Sequence, residues 1–112
     1  YDIDSGPGAI AASPVMALLG SLASCEAMDV LSILRKKRLQ ISAYEVSMRG
    51  DRAPEHPRRY THIEIVHRIT GHQIPAAAVA EAIALSEQKY CSVRHTLRTD
   101  LEVVNRFEVI EG

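Results

Sequence analysis

The sequence has no tryptophan, and aromatic residues make up only 4% of it. Its core must therefore be built from aliphatic side chains. It also lacks an excess of basic charge. The formal net charge is −1, which removes the electrostatic footprint of a general nucleic-acid or anionic-membrane binder. No charge-free apolar run approaches the roughly 20 residues of a membrane span. The opening YDIDSGPG has neither the basic stretch nor the apolar region of a secretory signal. Cysteine is scarce: Cys25 and Cys91 are the two thiols. Two cannot form the framework of a small secreted disulfide scaffold, so the chain reads as cytoplasmic. No Walker sequence, G-x-G-x-x-G, Ser-His-Asp arrangement or paired-carboxylate signature is present. There is no internal repeat and no low-complexity tract.

What is there is an ordinary apolar share of 46% and a charged share of 24% over 112 residues, which fits a single globular domain over 1–112. The chain starts at Tyr1 with no initiator Met, and further residues are expected to precede it. Gly, Ser and Pro mark a loop over 4–14. Ser13 followed by Pro14 is a helix-start signature. From there to about residue 39, Met16, Leu19, Ala23, Ala27, Leu31 and Leu34 recur at helical steps, and Leu18, Leu22 and Ile33 widen the stripe to nearly all round. Such a helix should be central and buried. Gly20 to Ser24 are weak helix formers and predict a break there. The RKKR run 35–38 ends the helix where its dipole favours cations.

Alternation then predicts a strand over 39–52, a turn at GDRAPEHP, and a second strand over 59–70. The second strand carries Ile63, Ile65 and Ile69 on one face and His62, Glu64 and Arg68 on the other. The two should pair as a hairpin. Gly71 breaks the strand, and Pro75 opens a helix with Val79, Ile83, Ser86 and Tyr90 on one stripe. Cys91 falls at its end, followed by a helical turn over 92–97. A third strand over 99–110 has Leu101, Val103 and Phe107 as inward candidates. The order α, β, β, α, β is an α+β arrangement: a long cysteine helix and a second helix packed on an antiparallel three-stranded sheet. Three strands cannot cover a helix that is apolar all round, so another subunit or a preceding segment should cover the rest.

Both cysteines have a bland reading, as small buried hydrophobes. A reactive Cys25 needs a helix N-terminus or a cation beside it. The predicted break would supply the first, at roughly 0.3–1 kcal/mol. Glu26 and Asp29 would oppose ionisation if they faced the sulfur. Cys91, in the polar stretch KYCSVRH, reads as the more reachable thiol. His95 lies four residues after Cys91, so Cys25, Cys91 and His95 could form a three-ligand metal site with an open position. His56, His62, His67 and His72 read as decorations of the hairpin. His62 and His67 alternate to opposite faces and cannot share a metal.

Two stretches carry a family resemblance. SPVMALLGSLASCEAMDVLSILRKKR has Pro14 eleven residues ahead of Cys25 and the continuation C-x-A-M-D-V-x-S-I-L; AVAEAIALSEQKYCSVRHTL carries KYCSV around Cys91. Together they resemble the OsmC/Ohr family of hydroperoxide-reducing proteins from residue 13 to the end of the chain. The resemblance implies an intertwined homodimer with the cysteine helices at its centre, and a hairpin of N-terminal strands that this sequence does not include. It implies a thiol peroxidase in oxidative-stress defence. Cys25 would attack an organic hydroperoxide and become a sulfenic acid, Cys91 would resolve it as a disulfide, and an external dithiol would reduce that bond. No metal or organic cofactor takes part. The family's peroxidases place a Glu nine or ten residues before the first Cys, to orient an activating Arg from the N-terminal strands. Those positions are Met16 and Val15 here. The opposing expectation is a non-enzymatic dimer that binds an apolar ligand or senses redox state.

Overall fold

A computed structural model describes residues 13–112 of the chain, so most of the loop expected over 4–14 lies outside the described residues. Helix α1 spans Pro14–Lys36. It begins as the sequence predicts: Ser13 Oγ accepts the Met16 N–H at 3.2 Å, and Pro14 fills the first turn. The predicted break between Gly20 and Ser24 does not occur. Ser21 Oγ donates back to the Ala17 carbonyl at 2.8 Å, which satisfies the hydroxyl without leaving the helix. The helix ends at Lys36, where Arg38 takes a left-handed φ of 60°. The Arg38 N–H then bonds the Arg35 carbonyl and the Leu39 N–H bonds the Leu34 carbonyl, a Schellman closure in which Leu39 packs back on the cluster holding Leu34.

Strands β1 (Gln40–Arg52) and β2 (Tyr60–His72) form the predicted antiparallel hairpin, with Tyr44 opposite Ile69 and Val46 opposite His67. Strand β2 runs on through Gly71 rather than stopping there. After β2 come α2 (Ala76–Leu85), one π-helical turn (Ser86–Tyr90) and α3 (Ser92–Thr96), then β3 (Glu102–Glu111). The sheet order is β1-β2-β3. Strand β3 pairs parallel to β2, with Ile63 opposite Val103 and Ile65 opposite Asn105, so the sheet is mixed rather than all antiparallel. The helices between β2 and β3 carry the chain back over one face to the starting end of β2. A crossover of that kind delivers a parallel neighbour, whereas a tight hairpin delivers an antiparallel one. The α+β class stands.

The helices cover the face of β2 that presents Ile63, Ile65, His67 and Ile69. Under them lie two apolar clusters. One joins Leu19, Leu22 and Ala23 of α1 to Ile63, Ile65, Leu101 and Cys91. The other joins Val30 and Leu34 to Ile69, Val79, Ala82 and Ile83. Glu26 and His67, both fully buried, sit at the level where the two clusters meet. His67 is thus not a hairpin decoration. It continues the odd-numbered isoleucine face, as strand alternation requires. By length and composition α1 could cross a bilayer, but here one face is packed on the sheet and another is left uncovered, with Met16 61%, Leu18 41% and Met28 72% exposed.

A candidate dithiol site between two helices

Cys25 lies in the middle of α1, so the unbroken helix offers it no N-terminus and no dipole of its own. Cys91 arrives from the other side of the chain by way of the π turn. Its N–H bonds the Ser86 carbonyl at 2.8 Å, five residues back instead of four. The extra residue rotates the chain beyond it by about 100° relative to a continuous α-helix. On the α-helical stripe Val79–Ile83–Ser86 the next inward position would be Tyr90. With the π turn, Tyr90 is 49% exposed and Cys91 takes the inward place at 0%. Cys91 also opens α3, where its Sγ accepts the Arg94 N–H at 3.3 Å.

The two sulfurs meet. Cys25 Sγ, Cys91 Sγ and a carboxylate oxygen of Asp29 all lie within 4.8 Å of one another, and both cysteines are free thiols. Asp29 follows Cys25 by one turn and so shares its side of α1. It is held by Ser86, whose hydroxyl donates to Asp29 Oδ2 at 2.8 Å. Cys25 is half-buried and Cys91 fully buried, the reverse of the accessibility that the polar context of Cys91 predicts. Polarity along KYCSVRH marks a helix end, but the π turn points this one side chain inward. Burial, with the Cys25 sulfur beside it, pushes the Cys91 thiol up to about 12; the Arg94 N–H partly offsets the rise. Cys91 is therefore held as a thiol at neutral pH.

His95 is exposed and takes no part in this convergence. The Cys25, Cys91 and His95 ligand set is not assembled, because α3 turns His95 outward on the helical turn that Cys91 itself caps. The positions of the family's Glu are as apolar in the structure as in the sequence. Val15 lines a largely apolar cavity of about 170 Å³ together with Leu18, Tyr60, Ile63, Leu97 and Leu101, with Arg58, Arg59 and Arg98 also at its wall, and its carbonyl accepts the Tyr60 hydroxyl at 2.9 Å. Met16 faces outward. The charged group that stands against Cys25 is Asp29.

Behind the sulfurs lies a polar seam that composition and motif did not reveal. His67 Nδ1 pairs with the Tyr44 hydroxyl at 2.7 Å and Nε2 with Asn105 Oδ1 at 3.0 Å. The Asn105 amide donates to Glu87. Among the described residues neither carboxyl oxygen of Glu26 has a hydrogen-bond partner, and Oε2 lies 4.0 Å from His67 Nε2. Burial, reinforced by Glu87, pushes Glu26 up to about 7, and burial pulls His67 down. Strand period could have found His67. The sequence names Asp29 beside Cys25 only as a charge that would oppose ionisation; its spacing of four residues also places it on the same side of the helix. The pin from Ser86, 57 residues away from Asp29 in the chain, had no signal.

Comparison with known proteins bears on the same residues. The family model described as OsmC-like protein matches residues 6–104. Protein YhfA of Escherichia coli is 38% identical over 108 residues, covering 96% of this chain and 81% of YhfA. A crystal structure of a hypothetical protein from Aquifex aeolicus is 31% identical with a TM-score of 0.86, over 94% of this chain and 79% of that one. The organic hydroperoxide resistance protein OhrB of Bacillus subtilis shares the fold alone, at 11% identity and a TM-score of 0.65 over 90% of this chain and 73% of that one.

Proposed function

The chain belongs to the OsmC-like protein family, and from that membership we propose that it is a thiol-dependent peroxidase for organic hydroperoxides, with Cys25 and Cys91 as its redox pair. The observation that supports this reading most is the convergence of the two sulfurs, one reachable and one buried. The Cys25 thiolate attacks the distal oxygen of the hydroperoxide. The O–O bond breaks, the alcohol leaves with one proton, and Cys25 becomes a sulfenic acid. Cys91, kept as a thiol and shielded from outside oxidants, attacks the sulfenic sulfur; the S–O bond breaks and water leaves. An external dithiol then exchanges with the resulting disulfide, restoring both thiols and leaving as its own disulfide. The cycle calls for no metal or organic cofactor. It requires a compartment that keeps thiols reduced, a condition the cytoplasm meets. The apolar faces left open on α1 suit a homodimer.

Hydroperoxide consumption with a dithiol as reductant tests the reading. Cys25→Ser should abolish turnover. Cys91→Ser should still consume about one equivalent, accumulating a sulfenic acid that a carbon nucleophile traps. Turnover from Cys25→Ser comparable to the parent would end the peroxidase claim. The apolar cavity beside Val15 favours one second reading, a dimer that binds an apolar ligand without chemistry. That reading expects neither turnover nor the trapped adduct.

A further inference from the structure

Resolution poses a physical problem for a thiol buried as Cys91 is. The attacking species must be a thiolate. Burial raises the Cys91 thiol well above the ordinary thiol range, so at neutral pH its thiolate is a minor form. The Cys91 side chain has no exposed surface, so no water takes its proton directly. Asp29 has the two faces the step requires. On one side its carboxylate oxygen lies within 4.8 Å of both sulfurs. On the other it lines a cleft of about 420 Å³ with Ser32, Ile33, Lys36, Lys37 and Tyr90. The Ser86 hydroxyl holds it between the two, and Ser86 is itself fully buried. The backbone of the same residue holds Cys91 through the five-residue bond. One residue therefore sets the position of both the base and the thiol.

We propose that Asp29 is the proton-transfer residue of the dithiol pair, taking the Cys91 proton as the Cys91 sulfur bonds to Cys25 and passing it on to the leaving group. The proposal rests on the dithiol reading above. In the sulfenic step the balance closes on one proton: it moves from Cys91 Sγ to the carboxylate and then to the departing hydroxide, which leaves as water, while the S–S bond forms and the S–O bond breaks. On reduction it runs backwards and reprotonates Cys91 as its sulfur leaves. The groups around Asp29 are Cys25, Glu26 and Lys36 of α1, Lys37 at its C-cap, Ser86 and Tyr90 of the π turn, and Cys91 beyond it; Glu87 and Arg94 act on Glu26. His67 of β2 and Asn105 of β3 lie behind Glu26.

An aromatic disulfide that releases one coloured thiolate per displacement separates the steps without any hydroperoxide. Cys25 displaces the first thiolate and forms a mixed disulfide. Cys91 then attacks Cys25, displaces the second and closes the bridge. In Asp29→Asn the first release should not slow, since a like charge beside Cys25 is gone. The second should fall by about 100-fold, the scale of a lost general base. Its rate should also climb about tenfold per pH unit through the neutral range, as expected of bare thiol ionisation, where the parent's is nearly level. Ser86→Ala removes the pin but keeps the carboxylate, and should slow the second release by a smaller factor, roughly tenfold. A second release in Asp29→Asn at the parent's rate with the parent's pH profile overturns the proposal. A parent that bridges its thiols normally but consumes no hydroperoxide defeats the peroxidase reading and leaves the Asp29 result standing. A parent with no second release defeats both.

Discussion

Both carboxyl oxygens of Glu26 are buried, and among the described residues neither has a hydrogen-bond partner. At 4.0 Å from His67 Nε2 the two could form an ion pair. Burial raises the carboxyl and lowers the imidazole instead, so the pair tends towards two neutral groups. The effect on stability has a definite sign. The unfolded chain ionises Glu26 near 4.5 and the native chain near 7. Between those values the native state holds a proton that the unfolded state has lost, so this residue's contribution falls as pH rises and levels off above about 7. The loss is on the order of 3 kcal/mol across the window. His67 acts at the other end, costing stability as pH falls through its ordinary titration range. In Glu26→Gln the decline between pH 5 and pH 8 should be largely removed, as read from urea midpoints at the two pH values. Glu26 shows how much of the site a sequence can hide. Its neighbour Cys25 carries a family motif, but nothing local says that a glutamate at this position points into the core.

At the scale of elements, capping and period were legible and continuity was not. Ser13, Pro14 and the apolar stripe specify α1. The weak residues from Gly20 to Ser24 predict a break that the tertiary packing of Leu19, Leu22 and Ala23 overrides. The π turn is the opposite case, an irregularity with no local signature in SEQKY. It decides which side chain faces Cys25. Inserting one alanine after Gln88, an exposed residue of that turn, should place Tyr90 five residues after Ser86, in the inward position that Cys91 holds, and turn Cys91 away from Cys25. Helical content by circular dichroism should be nearly unchanged, while disulfide formation, read by mass after alkylation under oxidising conditions, should be lost.

For the whole molecule, the crossover through α2, the π turn and α3 makes the sheet mixed and sets all the helices on one face. That leaves α1 covered on one side only, with Met16, Leu18 and Met28 open. Burying such a face stabilises association by about 25 cal/mol per Å² of apolar area, and a charge placed in it is left without a partner. The parent is expected to sediment as a dimer, and Met28→Lys as a monomer. Because Met28 does not point at the sulfurs' side of α1 as Asp29 does, the variant should still close its disulfide under an aromatic disulfide reagent.

The sequence by itself determined the class of elements, their order, the start of α1, the hairpin and the apolar face of β2, and it singled out the two cysteines, because these depend on short-range periodicity, capping chemistry and two recognisable motifs. Only the tertiary structure decided that β3 runs parallel, that α1 is continuous, that Cys91 rather than Cys25 is the buried sulfur, and that Asp29 and not His95 joins them. Each of these depends on the relative placement of segments far apart in the chain. The sulfurs, 66 positions apart in sequence, come within 4.8 Å because one added residue in a helical turn rotates a side chain inward, and that rotation is set by packing rather than by any local pattern.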